Sequence, residues 1–151
     1  MPRILSDERE AEFQELSAYI EFFATHIWKV EHTNPTHPSS ALKHIVERYG
    51  KFKALEGLRQ AVNDTVTYGS DKPLSFVQEL DMALRKNNLI TFSEVRRRYS
   101  AAFKRILRRG GIRNEAEYYL IAGIVADCTA ELEPDQHLRL EEFITTYKRV
   151  I

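Results

Sequence analysis

Apolar residues recur at three- and four-residue spacing along almost the whole chain, which is the period of one face of an α-helix. Phe13, Leu16, Tyr19, Ile20, Phe23, Ile27 and Val30 share one stripe and predict a first helix over residues 7–32. Ser6 or Asp7 can cap it, because a short side-chain oxygen accepts from the free N–H groups of the first turn. Asp7, Glu8, Glu10 and Glu12 then lie where the helix dipole favours negative charge. Pro35 and Pro38 end the pattern and hold the link extended.

A second, short helix begins near Ser39 or Ser40 and stops at Gly50, with Ala41, Leu42, Ile45, Val46 and Tyr49 on its face. A third runs over residues 51–68 on Phe52, Leu55, Leu58, Ala61, Val62, Thr65 and Val66. Gly57 inside it costs about 1 kcal/mol relative to alanine and suggests close approach by another helix. After the turn of residues 70–73, a fourth helix buries Phe76, Val77, Leu80, Ala83 and Leu84, and Asn87 and Asn88 break it.

The fifth helix, residues 91–109, has the clearest start. Thr91 and Glu94 form a capping box, with Ile90 and Val95 as the hydrophobic staple. Gly110 and Gly111 stop it, because glycine readily takes the left-handed C-cap conformation. Asn114 and Glu117 suit the start of a sixth helix, near residues 115–131. Its stretch 118–126 is apolar almost all round. Such a helix is normally enclosed by others, so it is the expected centre. Pro134 opens a seventh helix on Leu140, Phe143, Ile144, Tyr147 and Val150. The expectation is an all-α fold, one domain over residues 1–151, with six or seven helices as a bundle or orthogonal array.

Composition narrows the class. At 43% hydrophobic and 29% charged residues, with no net charge, the chain has too much apolar material and too balanced a charge for disorder. One cysteine makes neither an internal disulfide framework nor a four-thiolate zinc site. Cys128 lies in the apolar sixth segment and reads as a buried, unactivated thiol. There is no apolar run of membrane-spanning length and no secretory leader pattern at the start, so a cytoplasmic protein without a membrane partner is expected.

The charge is segregated along the chain. Residues 85–113 hold ten basic residues against one acid, Glu94, a local net charge of +9. On a helical wheel of residues 91–109, Val95, Tyr99, Ala102, Phe103 and Ile106 fill one arc. Arg96, Arg97, Arg98, Lys104, Arg105, Arg108 and Arg109 fill the other. Exposed guanidinium groups in this density bind carboxylates or phosphates. Complementation of the helix dipole and internal pairing with the acidic flanking helices are the structural alternative. Phe22 and Trp28 lie off the main stripe of the first helix, and Met82 off that of the fourth. They mark either a second buried face or an apolar patch for a partner or a second copy of the chain.

Catalytic signatures are scarce: no phosphate-binding loop, dinucleotide fingerprint, nucleophile elbow or zinc-protease helix occurs. His26, His32, His37 and His44 cluster in sequence without ligand spacing and read as exposed or capping residues, with neither metal nor cofactor implied. The expectation is a non-enzymatic binding protein, of which a bacterial immunity or antitoxin-type inhibitor is one form. Its basic helix would face an acidic protein surface. Nucleic-acid binding through the same helix is the alternative, although a neutral domain is an unusual one for that role. An enzyme whose site is assembled from residues distant in sequence is the third reading.

Overall fold

A computed structural model describes residues 4–127 and 132–150. Among these residues the chain is all-α, with eight helices and no strand: α1 (Asp7–His26), α2 (Pro38–Tyr49), α3 (Lys51–Tyr68), α4 (Leu74–Lys86), α5 (Phe92–Tyr99), α6 (Ala101–Arg109), α7 (Glu115–Asp127) and α8 (Pro134–Val150). The count exceeds the expected six or seven because the helix expected over residues 91–109 is two helices. Ser100 divides them. Its backbone is extended (φ −72°, ψ 121°), its N–H donates to Arg96 O at 2.9 Å to close α5, and its Oγ accepts from Phe103 N–H at 3.1 Å to open α6. A short hydroxyl side chain offers the backbone this alternative to continuing a helix.

Packing groups the chain into two compact units. The first is Met1–Thr65 with Asn88–Ile90, and the second is Val66–Asn87 with Thr91–Ile151. In the first, α1 buries Phe13, Leu16, Tyr19, Ile20, Phe23 and Ala24, and α3 buries Ala54, Leu55, Leu58, Val62 and Thr65. Thr65 spends its hydroxyl proton on Val62 O at 2.7 Å, so Tyr19 O–H donates to Thr65 Oγ1 across 2.8 Å of fully buried space. Lys51 pairs with Glu10 at 2.6 Å and Arg59 with Glu12 at 2.5 Å.

α1 ends at His26, six residues before the expected 32. The N–H groups of Ile27 and Trp28 both donate to Phe23 O, at 2.9 and 3.1 Å. Lys29, at φ 59°, then turns the chain so that Val30 N–H reaches Ala24 O at 2.9 Å. Ile27 and Val30 are therefore half-buried in a turn and not part of the helical stripe. Gly57 is exposed. A Cβ there would meet only Ile45, at an ordinary 4.0 Å, so the expected close approach is not what its glycine serves.

In the second unit α7 touches α4, α5, α6 and α8, the central place its apolar surface predicts. Residues 128–131, the end of the expected segment, and Cys128 with them, lie outside the described residues. One part of the core joins Phe103 and Ile106 of α6 to Leu120, Ile121 and Ile124 of α7 and to Leu132, Leu140 and Phe143. Elsewhere Gly69 is buried against the fully buried ring of Phe92, and a Cβ built at Gly69 would overlap that ring. Gly69→Ala should cost about 1–3 kcal/mol, the usual cost of overpacking. Gly57→Ala should instead stabilise α3 by about 1 kcal/mol. Urea unfolding of the two variants checks the contrast.

Candidate functional site

The basic segment is set in place by the start of α5. Thr91 Oγ1 accepts from Glu94 N–H at 3.1 Å, the first half of the expected capping box. A second acid reaches in from α4. Asp81, 4% exposed, accepts from Ser93 N–H at 2.9 Å and from the Ser93 hydroxyl at 2.5 Å. Thr91 O–H in turn donates to Asp127 of α7 at 2.5 Å, and Asp127 also holds Arg85. The α5 N-terminus is thus gripped from α4 and α7, with carboxylates where the free N–H groups and the helix dipole favour them. Burial pushes the Asp81 carboxyl up from its usual 3.8 to about 6, helped by the nearby Asp127 charge and opposed by the Ser93 hydrogen bonds.

The seven cations expected to share one outward face have three different fates. Arg96 is buried, with its guanidinium carbon 4.9 Å above the Phe92 ring. The reason is positional: Phe92, Val95, Arg96 and Tyr99 share one stripe of α5, and Phe92, Val95 and Arg96 on it are buried. Arg97, Arg98 and Arg109 are engaged by the chain's own acids. Glu94, 5% exposed, takes the guanidinium of Arg97 in two hydrogen bonds and Arg98 Nε at 2.9 Å. Arg109 reaches Gly111 O at 2.9 Å and pairs with Glu117. Glu117 also accepts from Arg113 N–H at 2.8 Å, while its own N–H is capped by Asn114 at 2.9 Å, so Asn114 opens α7 as expected.

Lys104, Arg105 and Arg108 remain. Together with Ala101 they form an unbroken i, i+3, i+4, i+7 stripe on α6, opposite the buried Phe103 and Ile106. All three are exposed and, among the described residues, take no hydrogen bond or ion pair. They border an open concavity of about 490 Å³ with Ala101 and Leu107. Ser100 lies between this stripe and the arginines neutralised on α5.

Phe22 and Trp28 belong to the first unit, and both are half-buried rather than presented as a free patch. Phe22 lies against the His26 ring at 4.4 Å, and Trp28 meets Phe23 edge-on at 5.0 Å. Met82, 68% exposed, stands out from α4. Two titratable groups are buried in a way the sequence did not indicate: Asp81, which was not singled out, and His37, which was expected as exposed or capping and which caps α2 while fully buried. Asp81 sits with Val77, Leu80 and Leu84 at i, i+3, i+4, i+7 spacing, so its place on the core stripe was available as a signal. His37 immediately precedes a proline at the first helical position, where a capping side chain belongs.

In comparison with known proteins, no family model matches the chain, and no curated protein or solved structure matches it significantly. What defines the molecule is therefore its own geometry: among the described residues an all-helical fold in which α6, packed on the apolar α7, presents a short cationic face without a hydrogen bond or ion pair.

The Asp81 shift has a measurable sign. A carboxyl with a folded-state pKa above its unfolded value contributes stability that is fully present below about 3.8 and is lost as pH rises through about 6. Asp81→Asn keeps an acceptor for Ser93 N–H and no longer titrates. It should be more stable than wild type at pH 7, by at most about 3 kcal/mol. The advantage should vanish below pH 4. Urea unfolding at the two pH values checks this, and a variant weaker than wild type at pH 7 would show that the ionised carboxylate is the stabilising form.

Proposed function

We propose that the protein is a non-enzymatic binding module that grips an acidic surface of a partner protein through Lys104, Arg105 and Arg108. The observation that carries this reading is the stripe itself: three cations at helical spacing, exposed, and without a partner among the described residues. Unpaired guanidinium groups fit carboxylates in bidentate geometry, and lysine adds a mobile point charge. Ala101 and the half-buried Leu107 beside them give a small apolar floor, which favours a folded surface over a bare polyanion. The neutral charge of the chain supports the same choice, since nucleic-acid binders usually carry a strong basic excess. An inhibitor of the immunity or antitoxin type, acting in the cytoplasm by covering an acidic face of its target, is the concrete form this reading takes. Among the described residues no helix is long and apolar enough to cross a membrane.

The test is affinity capture with wild type and with the triple variant Lys104→Glu, Arg105→Glu, Arg108→Glu. All three positions are exposed, so circular dichroism should show an unchanged fold. Wild type should retain an acidic protein that the variant loses. With that partner purified, the variant's association rate at low salt should fall by about tenfold or more and lose its salt sensitivity. Binding of single- or double-stranded DNA or RNA at micromolar protein, weakening steeply with salt, would replace this reading with nucleic-acid recognition.

A further inference from the structure

His37 is fully buried at the entrance to α2, and its neighbours fix the position of its proton. The Ser39 backbone N–H can only donate, and it points at Nδ1 from 3.2 Å, with the Ser39 hydroxyl oxygen 2.8 Å from the same nitrogen. Nδ1 therefore offers a lone pair, and a neutral ring carries its proton on Nε2. Nε2 lies 2.9 Å from Thr25 Oγ1 of α1. That oxygen is free to accept, because the Thr25 hydroxyl proton goes to Glu21 O at 2.8 Å. His37 thus performs two tasks at once. Its Nδ1 is the N-cap of α2, and its Nε2–H ties that cap to α1.

The surroundings penalise a second proton. His32 stacks on the His37 ring at 4.7 Å and 20° and shares Thr25 Oγ1 at 3.3 Å. The outer nitrogen of His32 faces the Glu21 carboxylate at 3.8 Å. Burial, and then His32, hold the His37 imidazole below its usual pKa, while Glu21 pulls the other way. The helix secured by this cap has few other anchors. None of the twelve residues of α2 is buried, and Leu42, Ile45 and Val46 are only half-buried.

We propose that His37 is a latch on α2: neutral, it pins the helix start to α1, and protonated on Nδ1 it releases the helix. Protonation removes the lone pair that caps the Ser39 backbone N–H, leaves Nδ1–H only the Ser39 hydroxyl oxygen to donate to, and places a cation in a buried site against a second imidazole. Release bares the half-buried Leu42, Ile45 and Val46 and the part of α1 that α2 packs against. The sign follows from the depressed pKa. The hold on α2 is complete above the free imidazole value of about 6.5 and weakens as pH falls below it.

Amide hydrogen exchange followed by NMR between pH 7.5 and pH 5 tests the latch, with rates expressed as protection factors to remove intrinsic pH dependence. Protection of the α2 amides should fall by about tenfold for each pKa unit separating the folded from the free imidazole, while that of the α1 and α3 core amides holds. In His37→Asn, whose amide oxygen caps without titrating, α2 protection should not change with pH. Equal protection of α2 in wild type at both pH values would overturn the proposal, as would pH-dependent loss persisting in His37→Asn. Should that variant fail to fold, the imidazole ¹⁵N shifts of wild type decide the matter. A neutral His37 with its proton on Nδ1 at pH 7.5 would refute the latch, and a proton on Nε2 that is joined by a second as α2 protection falls would support it.

Discussion

A helix that is apolar on every side must be enclosed, and in the second unit that constraint governs where its neighbours go. α7 carries Leu120, Ile121, Gly123 and Ile124 inward, and four helices pack around it. The buried positions of α5 (Phe92, Val95 and Arg96) and of α6 (Phe103 and Ile106) keep helical spacing in sequence across the break between the two helices. The extended residue Ser100 closes the first of them and caps the second. The charges fall differently on the two helices: on α5 Arg97 and Arg98 fold back onto Glu94 and Arg96 is buried, while on α6 Arg109 pairs with Glu117 and Lys104, Arg105 and Arg108 face solvent.

Helix existence was legible from hydrophobic period alone, and so were most boundaries, because glycines, prolines and asparagines stand at the ends. Three features were not. The Ser100 break is hidden because Val95, Tyr99, Ala102, Phe103 and Ile106 still make a plausible continuous arc. The early end of α1 is hidden because a left-handed lysine at 29 is an uncommon conformation that no residue type announces. The burial of Arg96 escaped because its charge outweighed its position beside Phe92 in the reading of the wheel. Of the candidate surface, Lys104, Arg105 and Arg108 were legible. The neutralisation of Arg97, Arg98 and Arg109 depends on where the carboxylates of Glu94 and Glu117 are carried, and charge sequence alone does not contain that.

Polar groups at helix starts do much of the positioning in this molecule. Ser6 caps α1, His37 caps α2, Thr91 and Asp81 hold α5, Ser100 opens α6, and Asn114 opens α7. Two of these groups, His37 and Asp81, are buried and titratable, so they pay a solvation penalty in return for geometry. Their pKa shifts run in opposite directions because burial always disfavours the charged form, which is the protonated one for histidine and the deprotonated one for aspartate.

The division at Ser100 leaves α5 with eight residues and α6 with nine. Both are below the length at which an isolated helix holds itself together in water. Neither can then be assembled ahead of the interior it covers. A peptide cut from this stretch would be an unstructured polycation, binding anything negative with little discrimination. The ordered ridge of three charges is a property that the chain acquires only once α7 has been surrounded.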